Sequence, residues 1–220
     1  MNINGFYHIG SMGRWQSIYE NQVQLLKNSG LLDITENVYI GVSGPMPEID
    51  LFPKAKIIVH NEKLEEGENQ TLRKMYEMCQ TIEPCKIWYI HTKGASRKTV
   101  DNTDSWRKYL EYFVITKHKN CIEALDEYDA CGAEWRKQHD RSLFVGNFWW
   151  ANSSYIKSLE NILTGHLPTG SGERHHAEYN FISKNNPKVK NFFDSKINLY
   201  DERLDPSVYV DKKQFKNKFL

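Results

Sequence analysis

The sequence lacks, first, a net charge. Its 220 residues carry 29 Lys and Arg against 28 Asp and Glu, a formal +1 at pH 7. No strong field is available to recruit nucleic acid or an anionic membrane. Cysteine is scarce. Cys79, Cys85, Cys121 and Cys131 include no CxxC pair, and their spacing matches neither a zinc site nor a dense disulfide framework. No window approaches eighteen consecutive apolar residues, and the first residues show no basic stretch followed by an apolar one. Neither a membrane span nor a signal peptide is expected, and the cytoplasm is the expected compartment. There is no GxGxxG after the first strand and no GxxxxGK[ST] anywhere. Their absence argues against a dinucleotide enzyme and a P-loop nucleotide hydrolase. The lack of GxSxG argues against a serine hydrolase.

What is present is an ordinary globular composition, 40% hydrophobic and 26% charged, in a chain long enough to hold a core without staples. Aromatics are plentiful, with twelve Tyr, ten Phe and six Trp. They fill cores or line pockets for ring-shaped ligands, and composition does not choose between the two. Strands are predicted over 5–9, 37–42, 56–60, 86–90 and 130–133, and a further β-like aromatic run covers 143–151. Helices are predicted over 15–29, from Asn69 to about residue 80, and as one long amphipathic helix over 105–125. A short helix is expected near 174–183, after a loop at 165–172 suited to covering a site.

Strands and helices alternate through the first 135 residues, which predicts an α/β fold with a mostly parallel central sheet flanked by helices. With no repeat or boundary visible, residues 1–220 read as a single domain. Residues 211–220, with Lys212, Lys213, Lys216 and Lys218, form a basic tail or a link to a following domain.

In an open α/β sheet, ligands bind beyond the carboxyl ends of the strands. That rule singles out His8, His60 and the segment from His91 to Arg97. There, His91, Lys93 and Arg97 supply positive or hydrogen-bonding groups suited to a phosphate or diphosphate, and Gly94 permits a close backbone approach. A solvated basic loop after a buried strand has the same composition. The turn Gly10-Ser11-Met12-Gly13-Arg14 could offer amides to an anion, or simply cap the next helix. In Gly146-Asn147-Phe148-Trp149-Trp150, Asn147 with Trp149 or Trp150 would suit a sugar ring; core packing suits the tryptophans equally. Glu178 follows Arg174 by four residues and His175 by three, and a carboxylate there could act as a general base. His175, His176 and Glu178 are also ligand types, without HExxH spacing, so the metal site stays unknown. Asp101, Asp104, Asp129 and Glu134 are acids without a signature.

Five pieces carry a resemblance: Phe6-Tyr7-His8-Ile9, Tyr89-Ile90-His91-Thr92-Lys93-Gly94, Trp106-Arg107-Lys108-Tyr109, Gly146-Asn147-Phe148-Trp149-Trp150-Ala151 and His175-His176-Ala177-Glu178. On these the chain resembles small glycosyltransferase-like domains of bacteria and large DNA viruses, which occur alone or within longer polysaccharide-building proteins. The resemblance implies a type A glycosyltransferase-like fold and a nucleoside-diphosphate sugar as donor. It implies a glycan or other hydroxyl acceptor, and the host cytoplasm if the source is viral. Glu178 would be the base. His8, His60, His91, Lys93, Arg97, Asn147, Trp149 and Trp150 would contact the donor or the sugars. Such domains often hold manganese or magnesium through Asp-x-Asp after the fourth strand, where this chain has His91-Thr92-Lys93. Either the basic groups neutralise the diphosphate, or a carboxylate such as Asp101 or Asp104 contributes. The competing expectation is an inactive nucleotide-sugar-binding or interaction module.

Overall fold

The computed structural model describes residues 1–64, 66–96, 101–138, 141–159, 177–178 and 181–210. The predicted loop at 165–172, most of the short helix near 174–183 and the tail at 211–220 lie outside them. The first half alternates as expected: β1 (Asn2–Gly10), α1 (Trp15–Asn28), a one-turn α2 (Leu31–Ile34), β2 (Asn37–Ser43), β3 (Ala55–Asn61), α3 (Asn69–Cys79) and β4 (Cys85–His91). Then follow α4 (Asp101–Glu111), a π-helical turn (Tyr112–Thr116), α5 (His118–Ala124), β5 (Ala130–Gly132), β6 (Trp135–Gln138), β7 (Arg141–Phe144), β8 (Trp149–Asn152), α6 (Ser153–Ser158) and β9 (Val189–Asn191).

The central sheet has the order β3-β2-β1-β4-β8-β5-β9, and β6 with β7 forms a separate hairpin. Strands β3, β2, β1 and β4 pair in parallel. Strand β8 is antiparallel to both neighbours, and β9 is parallel to β5. The result is a single-domain α/β fold with a mixed, mostly parallel sheet flanked by helices.

Residue alternation explains how the sheet holds its two layers. On β4, Trp88 and Ile90 point into one apolar cluster with Tyr7, Ile9, Leu110 and Val114. Ile87 and Tyr89 point into the other, with Phe6, Leu72, Met75 and Ile156. A period of two delivers successive side chains to opposite faces, so a strand covered on both sides is apolar throughout. Each such large side chain contributes about 1.5–3 kcal/mol by leaving water. All four cysteines are buried free thiols. No described helix is long and apolar enough to cross a membrane.

Two predicted elements divide in the structure. The long helix at 105–125 opens at the π-helical turn, where Lys117 N–H donates to Tyr112 O at 2.9 Å, five residues back. Beside this wider turn, Tyr112 and Phe113 join an edge-to-face cluster with Tyr109 and Tyr209. The run at 143–151 becomes two strands, because Gly146 and Asn147 both adopt positive φ, 98° and 56°, and turn the chain between them.

Candidate functional site

Strand order turns at β1: successive strands lie on one side, and β4 returns to the other. In open α/β sheets the carboxyl edge at such a reversal is where ligands bind. Here β1 and β4 end in register, His8 beside His91. A cleft of about 300 Å³ opens there, and its walls include His8, Glu68, His91, Lys93, Trp106 and Glu178.

The floor is a buried polar cluster. Gly41 has no Cβ because Thr71 occupies that space, 1.9 Å from where one would stand. Thr71 Oγ1 thereby lies 2.8 Å from His8 Nδ1. Glu68, just before α3, accepts hydrogen bonds at Oε2 from Tyr89 Oη at 2.8 Å and Asn147 Nδ2 at 2.7 Å. His91 Nε2 lies 3.0 Å from the Gly146 carbonyl, which can only accept, so that nitrogen carries the proton. Its Nδ1 lone pair then faces Glu68 Oε1 at 3.5 Å.

Burial dominates the protonation of all three groups. It lowers His8 to a pKa of about 4. Burial and then the charge of Lys93 lower His91 to about 3. Burial raises Glu68 above the usual carboxylate range. Both imidazoles are therefore neutral near pH 7, and His91 supplies no positive charge to a phosphate.

Among the described residues the cleft wall has one lysine or arginine, Lys93, whose Nζ lies 3.6 Å over the Trp106 ring. Its loop is anchored from below. Buried Arg107 donates to Lys93 O at 3.1 Å and to Asp104 Oδ1 at 2.7 Å, and its Nε lies 3.3 Å from Glu111. Gln22 Nε2 bridges His91 O at 3.1 Å and Glu111 Oε1 at 2.8 Å. Gly94 sits at φ 84°, and a Cβ there would stand 2.6 Å from Thr103. Across the cleft, Glu178 Oε1 accepts from Gly146 N–H at 2.5 Å.

Of the residues singled out in the sequence, the cleft brings together His8, His91, Lys93 and Glu178. Asn147 stands behind them, tying Glu68 to the Trp149 indole N–H, which donates to Asn147 Oδ1 at 2.8 Å. Trp149 and Trp150 are fully buried, and as strand neighbours they point into opposite apolar clusters. Trp149 stacks on Tyr89, and Trp150 donates to Val114 O at 2.8 Å, so neither offers a face to a sugar. His60 lies outside the cleft wall, with Nε2 2.9 Å from Gly44 O. Arg97, His175 and His176 lie outside the described residues.

The amides of the Gly10–Arg14 turn are largely taken. Ser11, Met12 and Arg14 donate to Ser43 O, Gly10 O and Ala95 O. Both oxygens of Asp104 are held by Arg14, and Oδ1 also by Arg107. Glu134 accepts from Tyr109, and Asp129 from the Lys188 amide. Among the described residues, no group of three or more His, Cys, Asp or Glu is arranged to hold a metal ion.

Sequence reasoning missed Glu68 and Tyr200, and it quoted Trp106 and Arg107 only within the Trp106-Arg107-Lys108-Tyr109 piece, with no role at the site. Glu68 sits in an acidic run with Glu62, Glu65 and Glu66 that reads as a solvated face; its one signal was its position after β3. The family model described as Domain of unknown function (DUF8361) matches residues 7–192. The chain belongs to this family. The DUF8361 match begins in β1 and ends just past β9, so it takes in the carboxyl end of β1, all of β4 and Glu178, which form both sides of the cleft. No curated protein matches the chain.

Proposed function

We propose that this DUF8361 domain is a glycosyltransferase of type A design, moving a sugar from a nucleoside-diphosphate donor to a hydroxyl of a glycan acceptor. The supporting observation is that a cation, Lys93, and a carboxylate, Glu178, line one cleft at the switch point of the sheet. The sequence resemblance points to the same chemistry. In this reading the diphosphate lies against Lys93, at the loop after β4. The neutral His8 and His91 meet uncharged polar parts of the donor.

In the transfer step, the acceptor oxygen bonds to the anomeric carbon as that carbon's bond to the phosphate oxygen breaks. The acceptor proton passes to the Glu178 carboxylate, and the nucleoside diphosphate leaves with the bonding pair. Charge grows on the leaving oxygens during the step, so Lys93 stabilises the transition state more than the bound donor.

The described residues do not fit a divalent cation. His91 Nε2 is engaged by Gly146 O, Glu68 Oε2 receives two hydrogen bonds, and Asp104 is shared by two arginines. No step is assigned to a metal, and Lys93 is the counter-charge.

A turnover assay that follows released nucleoside diphosphate tests the reading. Glu178→Gln should lower turnover by about 10²- to 10⁴-fold, the usual worth of a general base, with donor affinity nearly unchanged. Near-normal turnover in that variant would remove Glu178 from the step. Donor binding without turnover in the wild type would favour a binding module.

A further inference from the structure

Beside the cleft lies a second cavity of about 390 Å³. Its own walls include Arg136 and Gln138 from β6, Val145, and the stretch from Lys196 to Leu199 after β9. Trp106 and Tyr200 line both cavities. Their rings meet edge to face, with centroids 4.7 Å apart and planes at 76°. The ammonium of Lys93 rests on the same Trp106 ring. One aromatic pair therefore stands between the second cavity and the cation of the first.

The two cavities differ in charge. Arg136 donates through Nε to Asp194 at 2.8 Å, through Nη1 to Ile197 O at 2.8 Å and through Nη2 to Ser195 Oγ at 2.7 Å. Nη2 also lies 2.6 Å from the buried carboxylate of Glu134. Lys196 Nζ lies 2.5 Å from Asp194. Both cationic heads are answered by carboxylates of the chain itself, so among the described residues the cavity walls carry no surplus charge to attract an anion.

Two further features point to a ligand. Tyr200 is 46% exposed, which leaves ring surface open beside the cavity. Trp106 is only 1% exposed, and its Nε1–H has no hydrogen-bond partner among the described residues. A buried donor without a partner is costly, and this one stands beside Gly146 on the cleft side of the ring, where a ligand hydroxyl reaching in from the second cavity would meet it. Aromatic surface, a side-chain amide and balanced charge together suit an uncharged polyhydroxylated ring.

We infer that the second cavity is the acceptor subsite and takes an uncharged sugar ring, so that one hydroxyl passes Tyr200 into the cleft lined by Glu178. This inference rests on the sugar-transfer reading above. Its test uses the full chain, ¹⁵N-labelled, with maltose, cellobiose and lactose as neutral probes and cellobiouronic acid as a charged one. Trp106→Phe assigns the Trp106 indole resonance. That resonance should shift with at least one neutral disaccharide, and the charged probe should bind more weakly. Gln138→Trp, which fills the cavity, should weaken disaccharide binding at least tenfold and leave nucleoside-diphosphate affinity by calorimetry unchanged.

The inference is overturned if no disaccharide moves the Trp106 resonance in the wild type. It is equally overturned if the charged probe binds as well as the neutral ones, or if Gln138→Trp binds sugar normally. The wild-type titrations decide the matter alone should Gln138→Trp fail to fold. If the wild type binds nucleoside diphosphates but no sugar, the subsite falls and the transfer reading stands. If it binds no nucleoside diphosphate, the transfer reading falls first.

Discussion

Replacing Glu111 with glutamine probes the buried support of the cleft loop. Glu111 is 6% exposed, accepts from Gln22 Nε2 at 2.8 Å and lies 3.3 Å from Arg107 Nε. Burial outweighs these partners and raises its pKa from 4.5 to about 7. Between those values the native protein keeps a proton that the unfolded chain has released. Native stability therefore falls as pH rises through that window and levels off above it. At about 1.4 kcal/mol per pH unit, the whole window is worth at most ~3.5 kcal/mol. Glutamine has nearly the same shape and does not titrate.

The free energy of Glu111→Gln minus that of the wild type should thus climb by about 2–3 kcal/mol across the window, with pH-independent costs of the substitution cancelling. Urea unfolding followed by tryptophan fluorescence, at steps from pH 4.5 to 7.5, measures this difference. Parallel profiles for the two proteins would refute the reasoning. So would a wild type that gains on the variant as pH rises.

Two other substitutions separate site from scaffold. Gly94→Ala puts a side chain at φ 84° and against Thr103, so it should cost about 1–3 kcal/mol in urea unfolding and also weaken nucleoside-diphosphate binding by displacing Lys93. Trp150→Phe strands the Val114 carbonyl in the core and should cost about 2–4 kcal/mol, yet leave nucleoside-diphosphate affinity by calorimetry within twofold of wild type.

Legibility in the sequence followed the physics of each feature. The βαβ alternation, the buried β4 and the strand-end residues His8, His91 and Lys93 were readable, because period and position carry that information locally. The reversed direction of β8 was not, since pairing partners are a property of the whole sheet. Trp149 and Trp150 looked like a sugar platform as a motif; strand alternation sends them to opposite clusters. His91 looked like a cation until its burial was known. Glu68 and Tyr200 come from distant stretches and share the cleft wall only through tertiary packing, and Arg107 reaches the Lys93 carbonyl from another element, which no local spacing encodes.

Sugar transfer at this cleft depends most on Lys93 acting as the counter-charge for a diphosphate. Titration calorimetry of the wild type and Lys93→Ala with a panel of nucleoside diphosphates, with and without manganese, addresses it directly. A charge-assisted contact of about 1.5–3 kcal/mol corresponds to roughly a 10- to 150-fold loss of affinity in the variant, in either condition. Equal affinities for the two proteins, or wild-type binding that requires manganese, would contradict it.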